Sequence, residues 1–234
     1  EANRLGDLCI IDASAALRLN FLAYELNREG VGAGHTENLC NLFSTIMEIR
    51  ERNTGSGGGR EDGAFWKQGA TKLMRNATDL VSLATGSVSV PDLVRVILSA
   101  AQSPSQISDR AFQERSFCFQ CLKAADQKPK TARQQHDFGV VCDFFLLEWS
   151  GLAERTRSVI QATFMGWADR LNRGRLRELF CTDTTITPEV VEDGKIILID
   201  LPAKEFGELG VFAQVLFKHV CQRQIERRNV AARP

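Results

Sequence analysis

Two short apolar runs, each closed by an aspartate, lie near opposite ends of this chain and decide what kind of sheet it can build. The first is Leu8-Cys-Ile-Ile-Asp12 and the second is Lys195-Ile-Ile-Leu-Ile-Asp200. Uninterrupted apolar character from Ile196 to Ile199 predicts a strand buried on both faces, as in a parallel sheet covered by helices. Pro202 follows just past that strand, where its missing N–H does no harm. From Phe206 the pattern turns helical. Val211, Phe212, Val215, Leu216, His219, Val220 and Ile225 fall on or near one face. Gln222, Arg223, Glu226 and Arg227 give the end of this helix a polar surface, and bases there favour the negative end of the helix dipole. This is half of a strand–helix–strand unit, and the sequence ends before a further strand. The chain therefore reads as a piece of something larger.

Between the two runs the pattern is almost wholly helical. Ala13 to Gly30 is mixed, a loop or irregular crossing followed by a turn of helix, and Gly30 to Gly34 is a flexible break. Thr36 opens a helix to about Glu51, with Leu39, Leu42, Phe43, Ile46 and Ile49 as its apolar stripe. Asn53 to Arg60 is a Gly/Ser linker. Its Gly-Ser-Gly-Gly-Gly-Arg has no Lys-Ser/Thr after it and no buried strand leading in, so it reads as a surface loop and not as a phosphate cradle.

Five helices are predicted from Glu61 to about Arg175. Trp66, Ala70, Leu73, Ala77, Leu80, Val81 and Ala84 form one face of the first, which Gly86 ends. Pro91 and Asp92 open the second, and Ser103 to Ser108 breaks it. Ala111 to Ala125, Asp137 to Trp149 and Leu152 to Leu171 are the others, with a polar, basic loop from Asp126 to Arg133. Thr187-Pro188-Glu189 is a compact helix start with Thr187 as cap, and Gly194 releases the chain into the second strand. A helical block between two buried strands predicts an α/β fold: a core carrying a large inserted all-α domain, helix-dominated overall. The expected boundaries are 1–52 for the first core segment and its lead-in helix, 53–60 for the linker and 61–180 for the insertion. Residues 181–234 return to the core with a strand at 195–200 and a helix at 206–228.

Lys plus Arg equals Asp plus Glu, 29 of each, so net charge argues neither for nor against nucleic acid. Local clusters run from Lys123 to Arg133 and from Arg170 to Arg177, and a solvated surface accounts for both. Seven cysteines at irregular spacing fit free thiols in a reducing compartment better than a disulfide framework. Cys118 and Cys121 form a Cys-x-x-Cys without the second pair or nearby histidines that zinc requires. They read as two thiols on a half-buried helix. The histidines are isolated, and His219 reads as a packed core residue. Asp12 and Asp200 end apolar strands as the acids of a magnesium site do, yet Leu201 follows Asp200 where Glu is expected, and a turn-capping role fits both. No apolar run reaches the ~18 residues that a membrane span needs.

Several stretches together resemble the P-loop motor ATPases of conjugation and type IV secretion, the TraG/TraD-like coupling proteins. They are Leu19-Asn20-Phe21-Leu22, the helix opened by Thr36-Glu-Asn-Leu39, and Phe65-Trp66 with the helix that ends at Leu83-Ala84-Thr85-Gly86. Pro91-Asp92-Leu93 and the run from Asp193-Gly194-Lys195 through Asp200-Leu-Pro202 to Arg227-Arg228 complete the set. The resemblance implies a partial RecA-like P-loop core with an inserted all-α domain. The parent would bind ATP and magnesium and assemble as a hexamer on the cytoplasmic side of the bacterial inner membrane. It would pass DNA or a relaxosome-type nucleoprotein to secretion-channel proteins. Ring motors place arginines at subunit seams, which makes Arg223, Arg227 and Arg228 the candidate subunit-interface or DNA contacts.

The sequence departs from that family in lacking G-x-x-x-x-G-K-[ST] and any apolar strand ending in Asp-Glu. Phosphoryl transfer needs the Lys, Mg²⁺ and the acid that holds it. The resemblance therefore places the first motif before Glu1 and the second after Pro234. No catalytic, cofactor-binding or metal residue is expected in this chain, which alone would bind no cofactor and be inactive. Two other readings stand beside it: a non-enzymatic helical binding or adaptor module, and a degenerate scaffold member of the same family.

Overall fold

A computed structural model of the chain describes residues 4–28, 36–42, 44 and 60–227. The linker expected at 53–60 lies outside these residues except for Arg60, which opens a helix, and so does the helix expected beyond residue 44. Two strands, β1 (Leu8–Ile11) and β2 (Ile196–Ile199), form one parallel pair. Leu8 pairs with Ile196 and Ile11 with Ile199, and the Asp200 N–H carries the ladder one step further to Ile11 O at 2.9 Å. Everything else described is helix or connection, so the fold is helix-dominated around a small parallel sheet.

After β1 come α1 (Phe21–Asn27), capped by the Asn20 side chain on Ala23 N, and the helical residues 36–42, α2. The inserted block is organised on α3 (Arg60–Thr85). This long helix packs against α4 (Val90–Ser99), α7 (Phe117–Gln127), α8 (Ala132–Asp143) and α9 (Glu154–Leu171). Its expected stripe is buried from Ala70 to Ala84, and Gly86 terminates it with φ of +85°. Small residues let α9 come close: a Cβ on Gly69 would stand 2.9 Å from the Ile160 side chain.

Several boundaries differ from the sequence reading, each for a local reason. Ser103 to Ser108 is not only a break but contains α5 (Pro104–Ser108). The helix expected over Ala111 to Ala125 is two, α6 (Arg110–Arg115) and α7, because Ser116 leaves the helix to cap Phe119 N. The same hydroxyl donates to Ser99 O at 2.6 Å and ties α7 to the end of α4. The basic loop is shorter than expected, since Thr131 and Gln134 form a capping box that starts α8 at Ala132. That helix continues without a break into a π-helical stretch, Phe144–Trp149. Past α9, Arg175 and Arg177 belong to a further short helix, α10 (Gly174–Phe180), and Arg173 is its N-cap residue. Thr187 precedes a 3-10 turn, Pro188–Val191, without lending it a side-chain cap.

The strand expected to be buried on both faces is buried on one. Ile196 and Leu198 are 42% and 46% exposed, and Ile10 beside them is exposed as well. Ile11, Ile197 and Ile199 turn the other way, onto the core. A helical layer covers one side of the pair among the described residues, and alternation along the strands delivers the other side to solvent.

Past β2 the short helix α11 (Ala203–Phe206) and Gly207, at φ of +53°, lead into α12 (Glu208–Arg227). The buried stripe of α12 is centred on Ala213, Leu216, Phe217 and Val220, with Val211, Phe212 and Val215 at its margins. Ile225, placed on that face by the sequence, is 59% exposed. The aromatic rings of Phe212 and Phe217 meet Phe180 at centroid distances of 5.4 and 5.9 Å, and Phe212 also meets Phe21 at 6.3 Å. The helical block and the underside of the sheet thus share one hydrophobic cluster.

The two connections between sheet and block run side by side and are zipped together. Leu19 N donates to Leu179 O at 2.8 Å, and Thr185 N donates to Arg18 O at 2.8 Å. Arg18 N donates to Thr185 Oγ1, and the Asn20 side chain donates to Thr182 O. Arg18 also grips Asp183 with two guanidinium N–H groups, at 2.6 and 2.8 Å. This neck brings together residues 160 or more positions apart.

Candidate functional site

The parallel register sets Asp12 and Asp200 next to each other, because each follows one of the register partners Ile11 and Ile199. They stand at the carboxyl end of the pair, the edge where open α/β sheets receive ligands. Asp12 is engaged locally. Its carboxylate accepts from Ser14 N at 2.9 Å and from Ser14 Oγ at 2.5 Å, and these bonds hold its carboxyl below the usual range. The turn it caps carries Ala15 at φ of +56°, a left-handed backbone that a residue with a Cβ adopts at a cost. Asp200 is exposed. No group of three or more His, Cys, Asp or Glu side chains that could hold a metal occurs among the described residues.

A second polar cluster lies beneath the sheet, where α1, the 3-10 turn and α12 meet. Glu25 is 1% exposed and receives Arg28 Nε at 2.6 Å. Arg223 reaches the same carboxylate from α12, 3.7 Å from Glu25 Oε1. Tyr24 donates its hydroxyl to Glu189 Oε1 at 2.6 Å, and Gln224 donates to Glu192 at 2.9 Å. Of the three arginines assigned to a seam or to DNA, Arg223 is thus drawn inward by a buried acid. The side chain of Arg227 and the whole of Arg228 lie outside the described residues. His219 is half-buried on α12. The Glu25–Arg28 pair was visible in the sequence only as an acid three places before a base. The Arg18–Asp183 clasp carried no sequence signal at all, since nothing local links its members.

The basic clusters of the helical block are largely neutralised by nearby acids. Arg173 pairs with Asp169, Arg175 with Glu178 at 2.6 Å, and Arg133 with Asp137 at 3.8 Å. Lys130 lies over the Phe138 ring at 4.8 Å and donates to Lys128 O. Lys123, Lys128 and Arg177 remain exposed and without an ion-pair partner among the described residues. Cys118 and Cys121 are buried in α7, deeper than the half-buried helix expected, and burial pushes both thiols up, Cys121 to about 11. Neutral, enclosed thiols of this kind are packing groups and poor nucleophiles. Among the described residues no single helix is long and apolar enough to cross a membrane.

Compared with family models, with curated proteins and with solved structures, the chain matches none.

Proposed function

We propose that this chain is the middle portion of an ATP-driven DNA-pumping motor of the TraG/TraD-like type, with a RecA-like core interrupted by a substrate-facing helical domain. The observation that supports this most is the parallel pairing of β1 with β2 across the helical insertion, with an aspartate at the same end of each strand. A parallel pair needs a crossover. Here the crossover carries an entire helical domain, which is the arrangement that the resemblance implies. The exposed apolar face of Ile10, Ile196 and Leu198 is what a sheet with a second covering layer would present when that layer is supplied by other polypeptide.

In this reading ATP and magnesium are held by the parent protein, whose phosphate loop and Asp-Glu strand lie outside this sequence. The parent works as a hexamer at the cytoplasmic side of the inner membrane. The helical block helps select a DNA or nucleoprotein substrate for the secretion channel. DNA is met mostly through phosphate, by exposed cations such as Lys123, Lys128 and Arg177, so binding weakens steeply with salt. Arg223, Arg227 and Arg228 are the seam or DNA candidates of this reading, and the charge of Arg223 is already engaged by Glu25.

The test is to sequence the coding DNA on both sides of this chain. A G-x-x-x-x-G-K-[ST] upstream and an apolar run ending in Asp-Glu downstream are expected. If either flank lacks its motif, the motor reading fails for this protein and the helical adaptor reading replaces it. By itself the chain is expected to hydrolyse no ATP, and saturable micromolar ATP binding by the purified chain would contradict the division of labour proposed.

A further inference from the structure

We propose that the groove between α9 and the α4–α5 connection is a binding site for a small carboxylate, with Arg157 as its principal donor. This inference is independent of the motor reading. Glu154, Arg157, Ser158, Gln161, Ala162 and Met165 lie at helical spacing along one face of α9. With Gln102 opposite, they line a cavity of about 260 Å³.

Arg157 is the unusual member. It is 7% exposed, yet no carboxylate lies within ion-pairing distance of it among the described residues. Leu152 O, at 2.9 Å from Nη1, is its one hydrogen-bond acceptor there. Arg28, the comparably buried arginine, has Glu25 against it. A guanidinium carries five N–H donors. None of its nitrogens is both enclosed and unpartnered, so the donors that Leu152 leaves unused reach solvent, and the cavity that Arg157 lines is where an anion from outside the chain meets them.

The surroundings select the kind of anion. Gln102 and Gln161 line the same cavity and carry side-chain amides, which are neutral donors. α9 begins without a side-chain cap at Ala153, and Glu154 in its first turn meets the positive end of its dipole. Glu154 at the mouth bears a negative charge, which disfavours a dianion about twice as strongly as a monoanion. Planar two-point recognition by a guanidinium fork suits a carboxylate. Ala162 and Met165 offer an apolar wall for a short aliphatic stem. The ligand class is thus a monocarboxylate with a short aliphatic chain, free or as the end of an acidic side chain.

The experiment is an NMR titration of the 234-residue chain with sodium propionate at constant ionic strength. It follows the Arg157 Nε–Hε signal and the amides of residues 154–162. A saturable shift confined to these signals is expected. Arg157→Lys keeps the charge and the stem but loses the fork, and it should weaken binding about tenfold. Glu154→Gln should tighten it several-fold, because the charge at the mouth is gone. Absence of saturation in the native chain overturns the proposal, as does a shift that survives unchanged in Arg157→Lys. Weaker binding in Glu154→Gln overturns the charge argument. A phosphate titration run in parallel decides the ligand class: if phosphate saturates the same signals at lower concentration than propionate, the carboxylate assignment is wrong.

Discussion

A methyl group at Gly210 would overlap Leu201 O and come within 3.0 Å of the Ala203 backbone. Backbone cannot swing aside as a side-chain end can, so Gly210→Ala should destabilise the chain by about 2 to 3 kcal/mol in urea unfolding. The converse holds at Ala15, whose positive φ suits a residue without a Cβ. Ala15→Gly should stabilise by up to about 1 kcal/mol, and a loss of stability would show that the turn behind Asp12 is unstrained. Asp183 carries a pH dependence. The Arg18 guanidinium beside it holds its carboxyl well below the usual range. A depressed folded pKa contributes stability above the unfolded value of about 3.9 and loses it as pH falls through the folded value. Melting temperatures of the native chain and of Arg18→Met should therefore differ at neutral pH and converge on acidification. These residues also mark the limit of sequence reading. Gly86 and Gly194 announced their turns, but Gly210 is a glycine in a helix, and only the proximity of Leu201 explains it.

Among the elements, α1 and α12 depend on one another through the buried carboxylate of Glu25. Removing one member of a buried ion pair strands the others, so Glu25→Ala should cost about 3 to 5 kcal/mol, read from the denaturation midpoint. Arg223→Ala, on the half-exposed flank of the cluster, should cost clearly less. The helices themselves were legible because apolar stripes at 3.6 spacing survive into structure: α3, α4 and α9 are close to where Ala70–Ala84, Val94–Leu98 and Val159–Leu171 put them. Errors fell where a polar side chain overrides the stripe. Ser116 splits an apolar run that is continuous in sequence, and its hydroxyl is spent on Ser99 O and Phe119 N. The π-helical turn after Asp143 has no periodicity signal, since Phe144 to Trp149 is apolar in nearly every register. Cys118 and Cys121 lie deeper than the half-buried helix expected of them, and the isolation of Arg157 could be found only in three dimensions.

At the scale of the whole molecule, the contrast is between a well-buried helical block and a sheet with one open face. Amides of β1 and β2 should exchange with solvent through local opening well before those of α3. Equal protection of strands and α3 in native-state exchange would show that the pair is stable without further cover. Both strands were legible from their apolar runs and terminal acids, and so was the helical insertion between them. The open face was not, because four apolar residues in a row predict burial on two sides while saying nothing of what supplies the second. The neck was invisible for a different reason: its grip depends on Arg18 and Asp183 meeting only once the block between them has formed. That dependence sets an order of events during folding. Pairing β1 with β2 directly from the unfolded chain would mean closing a very long loop, which is slow. Once the block has condensed and Arg18 has found Asp183, the strands need only diffuse across two short tethers. The sheet should therefore form last, and substitutions in the neck should slow refolding more than they speed unfolding.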